Sequence, residues 1–169
     1  MNSGNIIIVG AMGSGKSTIG KLLAKKLDKK YIDTDLEIEV RNNCDISNFF
    51  EKYGETLFRE KESEILDALT DINNHIISTG GGIILKEENI NLLKKIGLIV
   101  FLDIDLKAQI KRVKHRKHRP LLKSDDLYTQ LKELKKDRDP IYNSISDYII
   151  DVSNKDKNAV VEEIYNKLI

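Results

Sequence analysis

Between Gly10 and Ser17 the chain reads Gly-Ala-Met-Gly-Ser-Gly-Lys-Ser, a spacing suited to wrapping backbone N–H groups around phosphate oxygens. Glycines let the backbone turn back so that several amides converge on one anion. Lys16 brings a full positive charge to the outer phosphates, and Ser17 offers a hydroxyl to Mg2+. The β-branched run Ile6 to Val9 precedes the turn, and Ile19, Leu22, Leu23 and Leu27 follow at helical spacing. That strand–turn–helix context is what a phosphate-binding loop (P-loop) requires. A helix opening near Lys16 also aims its positive dipole end at the same point. Gly13, Ser14, Gly15, Lys16, Ser17 and Thr18 are the candidate nucleotide contacts. Such a turn points to a nucleoside triphosphate and leaves open what is done with it.

Two acidic pairs compete for the metal. Asp33 and Asp35 stand two apart at a predicted strand end, where a period of two points both side chains to one side. One carboxylate suits Mg2+; the other suits a substrate hydroxyl or its proton. The rival is Asp103, which ends the apolar run Ile99 to Leu102, the more usual pattern for a metal carboxylate. Asp105 then reads as the cap of a helix starting at Leu106. The residues alone do not separate the two pairs.

Further along, Gly80-Gly81-Gly82 directly follows the run Ile76 to Thr79. Three glycines in a row cost chain entropy but let backbone approach a ligand closely. Arg59 has Glu62 three residues on, on the same helical face, where the carboxylate can orient the guanidinium. Arg138 lies in Asp137-Arg138-Asp139-Pro140. A guanidinium matches a carboxylate with two parallel hydrogen bonds, which lysine cannot copy. The densest basic run, Lys111 to Arg119, leads into Pro120-Leu121-Leu122 and reads as a loop, either a solvated face or a lid that closes over phosphates. No aromatic residues interleave with it, so nucleic acid is not indicated. His115 and His118 have no cysteine or third histidine near them and read as solvated.

These residues need a scaffold, and the chain supplies alternating elements. Strands are predicted at Ile6–Val9, at Tyr31–Ile32 leading into Asp33, at His75–Thr79, Leu98–Leu102 and Tyr148–Ile150. Helices are predicted at Lys16–Leu27, from Ile46 to an end near Gly54, and from Glu55 to Leu69. Others follow at Glu87–Lys95, Leu106 to about His115, Leu127–Asp139 ended near Pro140, and Ala159–Leu168. Strands alternating with helices indicate an α/β fold with a parallel sheet and helices on both faces. The 169 residues fit one domain. With 40% apolar and 33% charged residues and a net charge of +1, no global field favours nucleic acid or membrane. Cys44 is the sole cysteine, so no internal disulfide is possible. No stretch approaches the ~20 apolar residues of a membrane span, and the start lacks the basic residues of a signal peptide. Cytoplasm is the expected location.

Taken in order, these motifs resemble the shikimate kinase family from Ile6 to about Val161. The matching residues are Gly10 to Ser17, Asp33-x-Asp35, Gly54-x-x-x-Phe58-Arg59-x-x-Glu62, Ser78 to Gly82, Arg112 through Arg119-Pro120-Leu121-Leu122, and Arg138-x-Pro140-x-Tyr142. The resemblance implies a single P-loop kinase domain over 1–169, with a five-stranded parallel sheet of order 2-3-1-4-5. It implies a substrate-binding region at about 33–62 and a lid at about 112–124. It further implies that Asp35, Arg59, Gly81, Gly82 and Arg138 hold shikimate, with Phe50 and Phe58 as an apolar wall. Asp33 would stand near Mg2+ and the reacting hydroxyl, in place of Asp103, with Ser17 as the other metal contact. Lys16 and Arg119 would serve the phosphates, and Arg112 the adenine. ATP and Mg2+, and a monomer, are the implied partners and state. Family members often carry a proline in the loop that touches adenine, and Asp151 to Lys157 has none. Three rivals share the P-loop. A degenerate kinase kept as a binding module would lack a catalytic position, and none of those named is missing. A gluconate kinase would not need the arginine pair with Phe58. A nucleotide switch would need Asn-Lys-x-Asp, and Asn154-Lys155-Asp156 places its aspartate one residue early.

Overall fold

The computed structural model describes residues 4–114 and 126–168. Five strands form one sheet: β1 (Ile6–Val9), β2 (Lys30–Asp33), β3 (His75–Ser78), β4 (Leu98–Asp103) and β5 (Tyr148–Asp151). All neighbouring pairs are parallel and the order is β2-β3-β1-β4-β5. β1 is central, with Ile7 beside Ile77 on one side and Ile99 on the other. Among the described residues seven helices accompany the strands: α1 (Lys16–Leu27), α2 (Thr34–Asn42), α3 (Ile46–Ala68), α4 (Glu87–Ile96), α5 (Leu106–Val113), α6 (Leu127–Ile145) and α7 (Lys157–Leu168).

Alternation along the strands explains the two-sided core. Ile7, Val9, Ile77, Ile99 and Phe101 face one way and pack with Phe49, Phe58, Leu66, Leu93, Ile96 and Tyr142 from α3, α4 and α6. Ile6, Ile8, Ile76, Val100, Leu102 and Ile150 face the other way and meet Ile19, Leu23, Val160 and Ile164 from α1 and α7. A strand buried on both faces has no polar face to keep, so its sequence reads as an unbroken apolar run. Each fully buried side chain of this size contributes about 1.5–3 kcal/mol. A smaller cluster of Met12, Val113 and Leu131 seats α5 and α6 over the glycine-rich turn.

Two local expectations are corrected. Asp35 is not on a strand: the chain turns into α2 at Thr34, with Asp33 as its cap, accepting a 3.1 Å hydrogen bond from the Asp35 N–H. The two carboxylates therefore meet through a helix start, not through strand alternation. As expected, the helix from Ile46 breaks at Gly54, whose backbone leaves helical geometry. It kinks there (φ 79°, ψ 174°) and resumes as the segment that carries Arg59. Finally, α6 runs through Pro140 to Ile145, because Tyr142 and Ile145 beyond the proline bury against the sheet.

Candidate active site

In an open parallel sheet, ligands bind beyond the carboxyl ends of the strands, where the strand order reverses. Here that edge carries the turn after β1, Asp33 at the end of β2, and the glycines that follow β3. Gly10, Gly13 and Gly15 of the turn all adopt positive φ, which other residues rarely tolerate. The Lys16 Nζ folds back over the turn, donating to the carbonyls of Gly10 (2.8 Å) and Ala11 (3.0 Å). Buried Gln109 on α5 donates to the Met12 carbonyl at 3.0 Å and fixes the outer side of the turn.

The Ser17 hydroxyl donates to Asp33 Oδ2 at 2.8 Å, and the Tyr31 hydroxyl donates to the same oxygen at 3.1 Å. Burial, together with the Asp33 carboxylate, pushes the Tyr31 phenol up to about 12, so it stays a donor. Asp103 is differently engaged. It ends β4, its side chain is 43% exposed, and Lys135 Nζ lies 3.6 Å from its Oδ1. Asp105 caps α5 as expected, accepting from the Ala108 N–H at 2.7 Å. Asp33 and Ser17 together present hard oxygens, the donor type that Mg2+ prefers beside phosphate and water.

A cavity of about 800 Å3 opens beside this pair. Its wall includes Ser17, Asp33, Asp35, Phe50, Phe58, Glu62, Gly80, Gly81, Gly82 and Arg138. Phe50 and Phe58 lie with ring centroids 4.6 Å apart and form one apolar side. The Thr34 hydroxyl accepts from the Gly80 N–H at 3.2 Å and ties the start of α2 to the glycine turn. The glycines make room for charge. A Cβ on Gly80 would stand 2.6 Å from Asp35 Oδ1 and 2.9 Å from Glu62 Oε1. Arg59 lies just behind this wall, paired with Glu62 at 2.7 Å and Glu55 at 2.9 Å. Arg138 is 8% exposed, and Tyr142 beside it donates to the Gly81 carbonyl.

Burial raises the Glu62 carboxyl from its ordinary 4.5 to about 7; Arg59 opposes the rise, and the Asp35 charge adds to it. For Arg59, burial acts downward but the carboxylates of Glu62 and Glu55 outweigh it, so its pKa rises. The pair does not cancel, because Glu62 is fully enclosed while Arg59 keeps a second anion. The folded state thus holds the Glu62 proton more tightly than the unfolded chain does. The contribution of Glu62 to stability is fully present below about pH 4.5 and is lost as pH rises through about 7. Glu62→Gln removes that slope. Thermal melts across this pH range are expected to show the melting temperature of the Gln variant gaining on the parent as pH rises. A constant difference would mean that Glu62 does not titrate there.

A second cavity, of about 300 Å3, lies on the other side of the turn, lined by Gly13, Ser14, Gly15, Thr18, Arg112, Val152, Lys155 and Lys157 among others. Arg112 donates to the carbonyls of Val152 (2.6 Å), Ser153 (3.3 Å) and Gly13 (3.4 Å). It therefore joins the loop after β5 to the phosphate turn. The structure brings the predicted nucleotide residues Gly13 to Thr18 and Arg112 to one edge, and Asp33, Asp35, Phe50, Phe58, Gly81, Gly82 and Arg138 to the adjoining cavity. Arg119 and most of the predicted lid, with His115 and His118, lie outside the described residues. Sequence reasoning passed over Tyr31, Thr34 and Gln109. Tyr31 had a usable signal, since it shares a strand face with Asp33; Gln109 had none.

A P-loop between β1 and α1 on a 2-3-1-4-5 sheet, with an acceptor cavity at its edge, defines a P-loop kinase. The similarities narrow this. The shikimate kinase family model matches residues 12–169. The shikimate kinase of Hahella chejuensis is 42% identical over 164 residues, covering 97% of this chain and 85% of that one. The structure of Acinetobacter baumannii shikimate kinase in complex with shikimate superposes with a TM-score of 0.93 at 35% identity, over 97% of this chain and 92% of that one. A gluconokinase from Sinorhizobium meliloti, at 18% identity and a TM-score of 0.63 over 98% of this chain and 91% of that one, shares the fold. This chain belongs to the shikimate kinase family. Among the described residues, no helix is long and apolar enough to cross a membrane.

Proposed function

We propose that this chain transfers the γ-phosphate of ATP to the 3-hydroxyl of shikimate, giving shikimate 3-phosphate and ADP, a step toward chorismate and the aromatic amino acids. The observation that carries this reading is one cavity with Arg138, Asp35 and an apolar Phe50–Phe58 wall on one side and the Ser17–Asp33 pair on the other. Shikimate is a ring acid with three hydroxyls. Arg138 and Arg59 hold its carboxylate, Asp35 its hydroxyls, Gly81 and Gly82 let the ring approach the backbone, and the phenylalanines cover its apolar face. The 3-hydroxyl oxygen attacks the γ-phosphorus and the bond to the bridging β–γ oxygen breaks. Asp33 accepts the hydroxyl proton. Such transfers depend mostly on positioning and charge stabilisation. Lys16, with the amides of Gly13 to Thr18, holds the phosphates. Arg119 completes that cluster, and Arg112 lies against the adenine. Ser17 and Asp33 would hold Mg2+, which neutralises phosphate charge when bound with ATP. In this reading region 33–62 carries the acid and region 112–124 closes over the nucleotide. The reading is of a monomer that works in the cytoplasm, and the cavity lining comes from this one chain.

The test is ADP release measured with ATP and Mg2+ plus shikimate, gluconate, a nucleoside monophosphate, or no acceptor. Release that depends on shikimate alone is expected; release indifferent to it would sink the acceptor. Arg138→Lys loses the two-pronged grip on the carboxylate. The KM for shikimate is expected to rise roughly thirtyfold, about 2 kcal/mol. An unchanged KM would remove Arg138 from the site.

A further inference from the structure

Resting on the reaction proposed above, we infer that Lys135 is a positioning residue that holds the turn of α6 bearing Arg138 against the sheet. Pro140 lies inside α6. It has no N–H to give, so the carbonyl one turn back, at Lys136, loses its backbone partner. The hydrogen-bond ladder is therefore interrupted in the turn that carries Arg138, the residue whose placement the acceptor site needs most.

Lys135 spans that turn. Its Nζ pairs with Asp139 Oδ2 at 2.6 Å, four residues on, donates to the Ile104 carbonyl at 2.7 Å, and lies 3.6 Å from Asp103 Oδ1. One ammonium thus bridges the broken turn and fastens it to the end of β4. The side chains of Lys135 and Asp139 are only 17% and 22% exposed, so water and salt screen the bridge less than they would a surface pair. There is a second effect. Asp139 is the neighbour of Arg138 in the chain, and the ammonium occupies its carboxylate. The guanidinium is left facing the glycine turn, where a Cβ on Gly81 would come within 3.6 Å of Arg138 Nη1. None of the proposed substrate contacts involves Lys135 directly, so its influence passes through Arg138.

The experiment is steady-state kinetics on Lys135→Met, Lys135→Arg and Asp139→Asn, with the parent measured alongside. Lys135→Met is expected to raise the KM for shikimate about tenfold and to leave that for ATP within about twofold. Lys135→Arg recovers most of the loss, and Asp139→Asn reproduces it. In an Arg138→Lys background, Lys135→Met adds less than about twofold, because both changes act on one contact. A shikimate KM that does not move while the melting temperature falls would overturn the assignment, as would a full additional loss on Arg138→Lys. Should Lys135→Met fail to fold, Asp139→Asn carries the same comparison. A parent enzyme that ignores shikimate would sink the reaction and this assignment together; an active parent with unmoved variants sinks only the assignment.

Discussion

Replacing Asp33 with alanine is expected to lower kcat by roughly a thousandfold, while Asp103→Ala stays within about threefold of the parent. The expectation turns on where each carboxylate sits. Asp33 accepts the Ser17 hydroxyl at 2.8 Å, directly below the phosphate turn, and also lines the acceptor cavity. In the proposed reaction, its loss removes a metal oxygen and the proton acceptor in one change. Asp103 is almost half exposed, and its nearest cation is Lys135. Its loss leaves Ser17 and Asp33 untouched. Single-turnover measurement of ADP formation separates the two, because it reads chemistry apart from product release. If Asp103→Ala were the inactive variant, Asp103 would be the metal carboxylate and the reading of the edge would invert.

The second large effect is expected at Gly82. A Cβ there would stand 2.3 Å from Arg59 Nη1, 2.4 Å from Nη2 and 2.5 Å from Cζ. No methyl fits at such distances, so the guanidinium must leave. Arg59 is a long side chain and can swing aside, but doing so leaves buried Glu62 without its cation. It costs the site as well, because Glu55 and Glu62 hold the guanidinium where it is. Gly82→Ala is therefore expected to reduce kcat/KM for shikimate on the order of a hundredfold, with the KM for ATP little changed and a lowered melting temperature in a chain that still folds. Loss of folding instead of affinity would show that the Arg59 pocket is rigid and that Gly82 serves packing.

Much of this architecture was legible in the sequence, for physical reasons. Buried parallel strands must be apolar on both faces, so Ile6–Val9 and Leu98–Leu102 announced themselves. The phosphate turn is fixed by backbone geometry that few sequences satisfy. The Arg59–Glu62 pair followed from helical spacing, and the structure places the two at 2.7 Å. What stayed hidden depended on tertiary context. In α2, Leu36, Ile38 and Val40 alternate with polar residues like a strand, yet only Ile38 is buried, with Leu36 at 49% and Val40 at 77% exposure. Pro140 looked like a helix end, but burial of Tyr142 carries α6 past it. The contest between Asp33 and Asp103 could not be settled by pattern. What favours Asp33 is the strand order and the bond from Ser17, both of which join residues distant in the chain.

The kink at Gly54 has a consequence for how the molecule opens. Its backbone (φ 79°, ψ 174°) interrupts the helical ladder, and nothing lies within 4 Å of where its Cβ would stand. Cooperative unravelling of a helix spreads through consecutive hydrogen bonds, so it halts where the ladder is broken. Amide hydrogen exchange should therefore divide α3 into two units. Residues 46–53, with Phe49 and Phe50, form one; residues 55–68, with Phe58, Arg59 and Glu62, form the other. The first is expected to exchange sooner than the second, whose Arg59 and Glu62 are paired and buried.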